Sequence, residues 1–379
     1  MPETYIEPLT NRQECFTCHK TVTGKKKLSK CAKCEAITYC GQECQLEDWP
    51  RHKWNCLPVM VTEIPGKGRG LVAAKDIKMG ELLFSDKAVI KVNSLEKTEL
   101  LKPLMEQLNN LPSEARAQFH KLTIHDDREI CAIDGPIGDI LTITYQFFDN
   151  CKIRHAQREE EANCYYLCLN TILINHSCAP NVTVARLQPD NEFKEEVRAM
   201  KDISKGDEIT VCELDNNFIL HSGFNSQKRK EKIKNELGFD CLCCVCSGNL
   251  PDQEDVWMEL LNLSHALNSD QNPKKLEDWQ TKAKIMDQVV EVTKKLYIGN
   301  VHNMKLSTLA LLAKFAHLSR DEALLEKAFD GLNKLEEDSK MEIFRLKYEE
   351  LKQDLSKWTS QFKSKKPASK KEIDSLALG

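Results

Sequence analysis

The sequence has no run of about 20 uninterrupted apolar residues, so nothing in it is long enough to cross a bilayer as a helix. Its opening, MPETYIEPLT, lacks the basic start and apolar stretch of a secretory signal, so export is not expected. It also lacks a charge of one sign. With 54 basic and 58 acidic side chains the net charge is -4 over 379 residues, which offers no field for gripping a phosphate backbone. No cysteine follows Cys246, and no proline lies between Pro273 and Pro367. Without proline, that long stretch is free to form continuous helices.

Cysteine is what the chain has in excess. There are 17, seven of them between Cys15 and Cys56 and four between Cys241 and Cys246. Clustered thiols in a chain with no export signal point to metal rather than disulfides. The first cluster reads Cys15-x2-Cys18, Cys31-x2-Cys34, Cys40-x3-Cys44 and His52-x3-Cys56. Each pair can offer two soft ligands from one turn, and tetrahedral zinc needs four, so four pairs make two sites. His19, beside Cys18, is expected to be exposed rather than a ligand. A segment this short cannot bury much apolar surface. Metal must therefore supply most of its folding free energy, about 10–16 kcal/mol per structural zinc. Seven Lys and Arg51 against four acids, with two zinc ions and seven thiolates, leave a net charge of only about +1. That favours a peptide-binding or supporting role over nucleic-acid binding. The second cluster, Cys241-x-Cys243-x2-Cys246, supplies three thiolates, one short of a tetrahedron, with Cys244 as a surplus thiol.

Between the clusters the pattern is mixed. Gly70–Ala74, Glu81–Phe84, Ile140–Phe148 and Glu208–Cys212 read as strands, with a turn at 78–80. Leu95–Leu122 reads as helical, interrupted at Pro112 with Ser113 as a cap, and Ser226–Leu237 as a charged helix. Beyond Asp255 apolar residues recur at helical spacing, as in Trp279, Ala283, Met286 and Val290, or Leu325, Ala328, Phe329 and Leu332. This predicts three to five amphipathic helices packed antiparallel. Lys363–Lys371, with five lysines and no acid, reads as a solvated end or a nuclear-import patch.

Taken together, the motifs carry a resemblance. Cys15–Cys56, with Tyr39-Cys40 and the Trp49–Trp54 stretch, resembles a MYND finger. Gly66-Lys-Gly-Arg-Gly70, Asn175-His-Ser-Cys-Ala-Pro-Asn181, Gly206-Asp-Glu-Ile-Thr-Val-Cys212 and Phe239-Asp-Cys241-Leu-Cys243-Cys-Val-Cys246 resemble a SET domain with its post-SET segment. The chain is therefore similar to the SET-and-MYND family of protein-lysine methyltransferases. The resemblance implies an α+β fold: a β-rich SET domain with a helical insertion, an N-terminal MYND zinc finger and an all-α C-terminal domain. The expected divisions are a lead at 1–14, the finger at 15–56 and the SET domain at 59–248. Within that domain the helical insertion is expected at about 95–135 and the post-SET zinc segment at 239–248. A helical domain at 255–362 and a disordered basic tail at 363–379 follow.

The resemblance also assigns residues. Three zinc ions are implied, held by Cys15, Cys18, Cys40 and Cys44, by Cys31, Cys34, His52 and Cys56, and by Cys178 with Cys241, Cys243 and Cys246. The implied cofactor is S-adenosylmethionine, with Lys67 and Arg69 near its carboxylate, Asn175 and His176 hydrogen-bonding it, Phe239 on its adenine, and Asn150 at the asparagine of the family's Thr-Asn motif in the same site. Glu213 stands where the family carries a catalytic tyrosine, and Leu237 where a second tyrosine is usual. A lysine amine must be neutral to attack a methyl group, which costs about 4 kcal/mol near neutral pH. An ionised Glu213 would oppose that step, whereas a buried glutamate with a raised pKa could accept the proton. The implied function is protein-lysine N-methylation of a histone or another protein. The alternative is a catalytically impaired protein that binds cofactor or peptide as an interaction or transcriptional regulator. Expected partners are a lysine-containing protein or peptide and a peptide ligand of the finger, with no membrane and no strong nucleic-acid binding. The expected location is cytoplasmic, nuclear or both.

Overall fold

The structure is a computed structural model and describes residues 14–21, 28–53, 56–94, 99–122, 124, 135–154, 163–187, 193–214, 225–269, 275–299 and 301–339. Cys131 and the basic tail lie outside them.

The N-terminal segment is built around thiols rather than aliphatic side chains. Strands β1 (Ser29–Lys30) and β2 (Thr38–Tyr39) form a hairpin, followed by helix α1 (Gln42–His52). The buried cluster is Cys15, Cys31, Cys34, Tyr39 and Cys56. The Tyr39 hydroxyl donates to the Asp48 carboxylate at 2.7 Å, which fixes α1 against the hairpin and satisfies both groups out of water.

Ten short strands make the middle of the chain. They are β3 (Val59–Ile64), β4 (Gly68–Ala73), β5 (Leu82–Lys87), β6 (Ile90–Ser94), β7 (Lys152–Arg154), β8 (Asn163–Leu167), β9 (Asn175–His176), β10 (Val182–Leu187), β11 (Lys194–Ala199) and β12 (Glu208–Val211). They form three sheets in the orders β3-β4-β12-β9, β10-β11-β5 and β6-β8-β7. A shared core lies between the first two, with Val61, Leu71 and Ile209 meeting Phe84, Val182 and Val197. One pairing matters most for function. β12 runs parallel to β9, with Thr210 opposite Asn175 and Val211 opposite His176, which brings the Asn-His-Ser-Cys motif beside the end of the last strand.

Helices α2 (Leu101–Asn110), α3 (Ser113–Phe119) and α4 (Pro136–Asn150) cover the β6-β8-β7 sheet through Leu104, Leu108, Phe119 and Phe147. Two expectations fail here. Ile140–Phe148 is helical, not extended. Its β-branched and aromatic content favours a strand, but Pro136 and Asp139 start a helix, and Ile143 and Phe147 meet the core at helical spacing. The helical insertion thus runs on to Asn150. Ser113 is also not a cap: it is the first helical residue, Pro112 precedes it, and its hydroxyl donates to Glu114 instead.

Helix α5 (Ser226–Leu237) spans the residues expected of it. Asn225 accepts from the Lys228 N–H at its start, and Gly238 at φ 74° closes its end. Four helices follow: α6 (Glu254–Asn268), α7 (Leu276–Lys294), α8 (Val301–Ser319) and α9 (Glu322–Ser339). Their apolar faces bury Trp257, Leu260, Met286, Val290, Leu312 and Leu332 in one core that continues into Cys178, Cys241, Cys243 and Cys246. The helical domain is therefore packed directly on the second thiol cluster. No helix among the described residues is long and apolar enough to cross a membrane.

Candidate functional site

Three tetrads of metal-binding side chains converge. Cys15, Cys18, Cys40 and Cys44 form one, Cys31, Cys34, His52 and Cys56 the second, and Cys178, Cys241, Cys243 and Cys246 the third. In each, the ligand atoms all lie within 4.8 Å of one another. Thiol and imidazole donors in sets of four, the last two sets fully buried, match the requirements of structural zinc, and three zinc ions fit. The pairs alternate along the chain, so the first two sites interlock α1 with the hairpin. His19 is exposed at φ 55° and belongs to neither. Cys244 stays out of the third set, half-buried at its edge.

Electrostatics bear on the same point. Burial opposes ionisation of Cys15, yet N–H donors from Cys18, Cys40 and Thr17 pull its thiol down to about 6. In the third set, hydrogen bonds from the other three thiols push Cys243 well below the usual thiol range, while the same contacts push Cys178 above it. Four sulfurs this close cannot all carry charge without a cation among them. Arg229, wholly buried, lies against this set and pairs with Asp252 at 3.0 Å. Burial works against its charge, but Cys178 and Asp252 outweigh that and raise its pKa. A tetrathiolate zinc centre carries two net negative charges, and Arg229 offsets one of them.

The third tetrad anchors the residues assigned to a cofactor. Asn175 and His176 precede Cys178 on β9. The Asn175 amide donates to Glu208 at 3.0 Å, and Lys67 pairs with the other oxygen of the same carboxylate at 2.6 Å. Glu208 thereby joins the glycine turn, β9 and β12, a role the sequence reading missed. Gly70 is required there, because a Cβ at that position would come within 2.5 Å of the Asn175 amide nitrogen. Gly66 and Gly68 make the turn with φ of 74° and 70°. Arg69 donates to the Lys121 carbonyl at 2.6 Å. His176 is buried. Burial pushes its pKa down to about 4, so it is neutral, and its Nδ1 accepts the Glu213 N–H at 3.1 Å. Gly238 ends α5 and turns Phe239 back, with its ring centroid 6.1 Å from that of His176 and the residue 40% exposed. An exposed ring next to a neutral, anchored imidazole suits a flat, uncharged group. Asn150 ends α4, its amide donating to the Gln146 carbonyl at 2.9 Å.

Glu213 follows β12, and its Oε2 lies 2.9 Å from the Lys152 ammonium at the start of β7. Burial opposes its ionisation, but Lys152, with smaller help from Arg186, holds the carboxyl below its ordinary range. The raised pKa that a glutamate base would need is therefore not found. Leu237 packs against the core of the helical domain rather than standing free.

This combination defines a zinc-braced finger joined to a SET domain. Family models match accordingly: the SET domain over residues 68–212 and the MYND finger over residues 15–56. The chain thus carries a MYND finger followed by a SET domain, the pair expected of the SET-and-MYND family. It is 26% identical over 270 residues to human N-lysine methyltransferase SMYD2, which takes in 69% of this chain and 57% of that protein. It is 24% identical over 258 residues to human histone-lysine N-methyltransferase SMYD3, taking in 64% of this chain and 56% of that protein. Zebrafish N-lysine methyltransferase SMYD2-B is 28% identical over 248 residues, with 64% of this chain and 53% of that protein aligned. The chain thus spans a little over half the length of these curated relatives. A SET domain of this kind implies S-adenosylmethionine as its methyl donor.

Proposed function

We propose that the protein is an S-adenosylmethionine-dependent protein-lysine N-methyltransferase, acting on a histone or another protein in the cytoplasm, the nucleus or both. The observation that carries this reading is the Glu208 hub. One carboxylate holds Lys67 of the glycine turn and Asn175 of β9, directly ahead of the Cys178 tetrad. A ligand with an ammonium and a carboxylate at one end finds both signs of charge there, from Glu208 and Lys67. An adenine finds the exposed Phe239 ring beside a neutral His176. When bound, the donor supplies an electrophilic methyl group. The chain's own residues position the donor through Asn175, exclude water with the third tetrad and the helical core, and present Glu213 toward the acceptor. The MYND finger, with its small net charge, serves as a peptide-binding or supporting module.

A second reading is favoured by the Lys152–Glu213 pair. A Glu213 carboxylate held below its ordinary pKa and paired with Lys152 is a weak proton acceptor, so the pocket could serve binding alone, in an interaction protein. Radiolabelled donor with a peptide and histone panel separates the two. Label transfer by the wild type supports the enzyme. No transfer by the wild type, with transfer gained by Glu213→Tyr plus Leu237→Tyr, supports the interaction protein.

A further inference from the structure

The acceptor end of the site contains a cation of the protein's own. Lys152 opens β7, two residues beyond Asn150, and reaches across to Glu213, which follows β12 sixty-one positions later. The ammonium sits 2.9 Å from the carboxylate, and the two side chains are 26% and 32% exposed. The pair is thus reachable from solvent yet recessed, in the range where charges interact more strongly than at an open surface. Both ends are held in place. The Glu213 backbone is tied to His176 through its N–H, and the Lys152 strand is registered against Tyr166 of β8. The groups facing the Glu213 carboxylate are Lys152, Arg186 and the His176 imidazole. Of these, His176 is turned to the Glu213 backbone, its Nδ1 accepting that N–H, and Arg186 is largely exposed to solvent and shared with Glu195 at 3.5 Å.

We infer that Lys152 is a specificity-determining residue of the acceptor site: its ammonium occupies the Glu213 carboxylate and excludes a second ammonium from the same place. An incoming lysine side chain meets a like charge there and must displace Lys152 to gain a counterion. An uncharged side chain of the same length meets no such penalty. The site in its resting form therefore discriminates against charged lysine, and removing Lys152 leaves a recessed carboxylate whose natural complement is an ammonium. This inference rests on the reading above that position 213 faces the acceptor.

The test is an NMR titration of the full chain with Nα-acetyl-lysinamide and, separately, Nα-acetyl-norleucinamide. It uses wild type, Lys152→Met, Lys152→Gln, Glu213→Gln and the Lys152→Met/Glu213→Gln double variant, each checked for folding by circular dichroism and for three zinc equivalents. The wild type is expected to prefer norleucinamide. Lys152→Met and Lys152→Gln are expected to shift the ratio toward lysinamide by at least tenfold, and that shift is expected to fall below twofold when Glu213 is also Gln. An unchanged ratio in both Lys152 variants, a shift that persists undiminished without the Glu213 carboxylate, or no binding of either probe to any of the proteins overturns the inference. Calorimetry with S-adenosylhomocysteine on the same samples reports separately on the methyltransferase reading. A shifted preference without donor binding removes that reading and leaves Lys152 excluding an ammonium from Glu213 in a site that only binds; donor binding with an unshifted ratio keeps the methyltransferase reading and removes the role of Lys152.

Discussion

The backbone N–H of Gly299, between α7 and α8, donates to the carbonyl of Cys178 at 2.8 Å. A ligand of the third metal set is thus tied to the helical domain through its own main chain. The buried thiols of that set also share a core with Trp257, Met286 and Leu312. Cys178 therefore links the cofactor motif, the post-SET segment and the C-terminal helices.

Cys178→Ser is expected to lose one zinc equivalent of three and to loosen α6–α9 together with the SET core. The measurement is metal analysis by mass spectrometry with limited proteolysis. Cleavage is expected within residues 239–253, while the finger stays resistant. Cys34→Ser, in contrast, is expected to lose one equivalent and expose only the finger, because among the described residues its tetrad lies in a buried cluster separate from that of α6–α9.

Arg229→Met is expected to destabilise by about 2–3 kcal/mol. It leaves Asp252 unpaired and a metal-bound tetrathiolate without its neighbouring cation, and the loss is tempered because Asp252 is partly exposed. Denaturant unfolding checks the energy, and competition with a chelator should show faster zinc loss from the third site than in the wild type. Arg229→Lys, which keeps the charge but not the fork, should fall between the two.

Asp86 gives a pH dependence of unusual sign. Its carboxyl is buried and pushed up to about 6, chiefly by burial, although Thr171 and Asn170 donate to it, and Glu195 stands opposite it across β5 and β11. A folded-state pKa above the unfolded value means that the folded chain keeps a proton the unfolded chain has released. Stability from this group is highest at low pH and is lost as pH rises through 6. Relative to Asp86→Asn, the wild type should lose about 1 kcal/mol between pH 5 and pH 7. The wild-type minus variant difference in urea unfolding is the measurement, since zinc-linked effects common to both cancel. A difference that is flat or rises with pH contradicts the assignment.

Local spacing carried the metal sites. Each ligand pair is written within a few residues, and the chemistry of sulfur leaves little else for such pairs to do. Helix α5 was equally legible, because its cap, its charged faces and Gly238 all lie within one short segment. Helix α4 was not: Ile140, Ile143 and Phe147 are strand formers by propensity, and the helix that Pro136 starts is held by Ile143 and Phe147 packing on the core beneath it. Long-range polar pairs were also hidden. Lys67 meets Glu208 across 141 positions and Lys152 meets Glu213 across 61, and no local pattern announces either.

The central claim is that the third tetrad and the Glu208 hub together form a pocket for the methyl donor. Titration calorimetry of the full, three-zinc chain with S-adenosylhomocysteine tests it most directly, with Asn175→Ala alongside. The account predicts one equivalent bound by the wild type and at least tenfold weaker binding by the variant. No binding by a wild-type chain that holds all three zinc ions, or equal affinity in the variant, would contradict it.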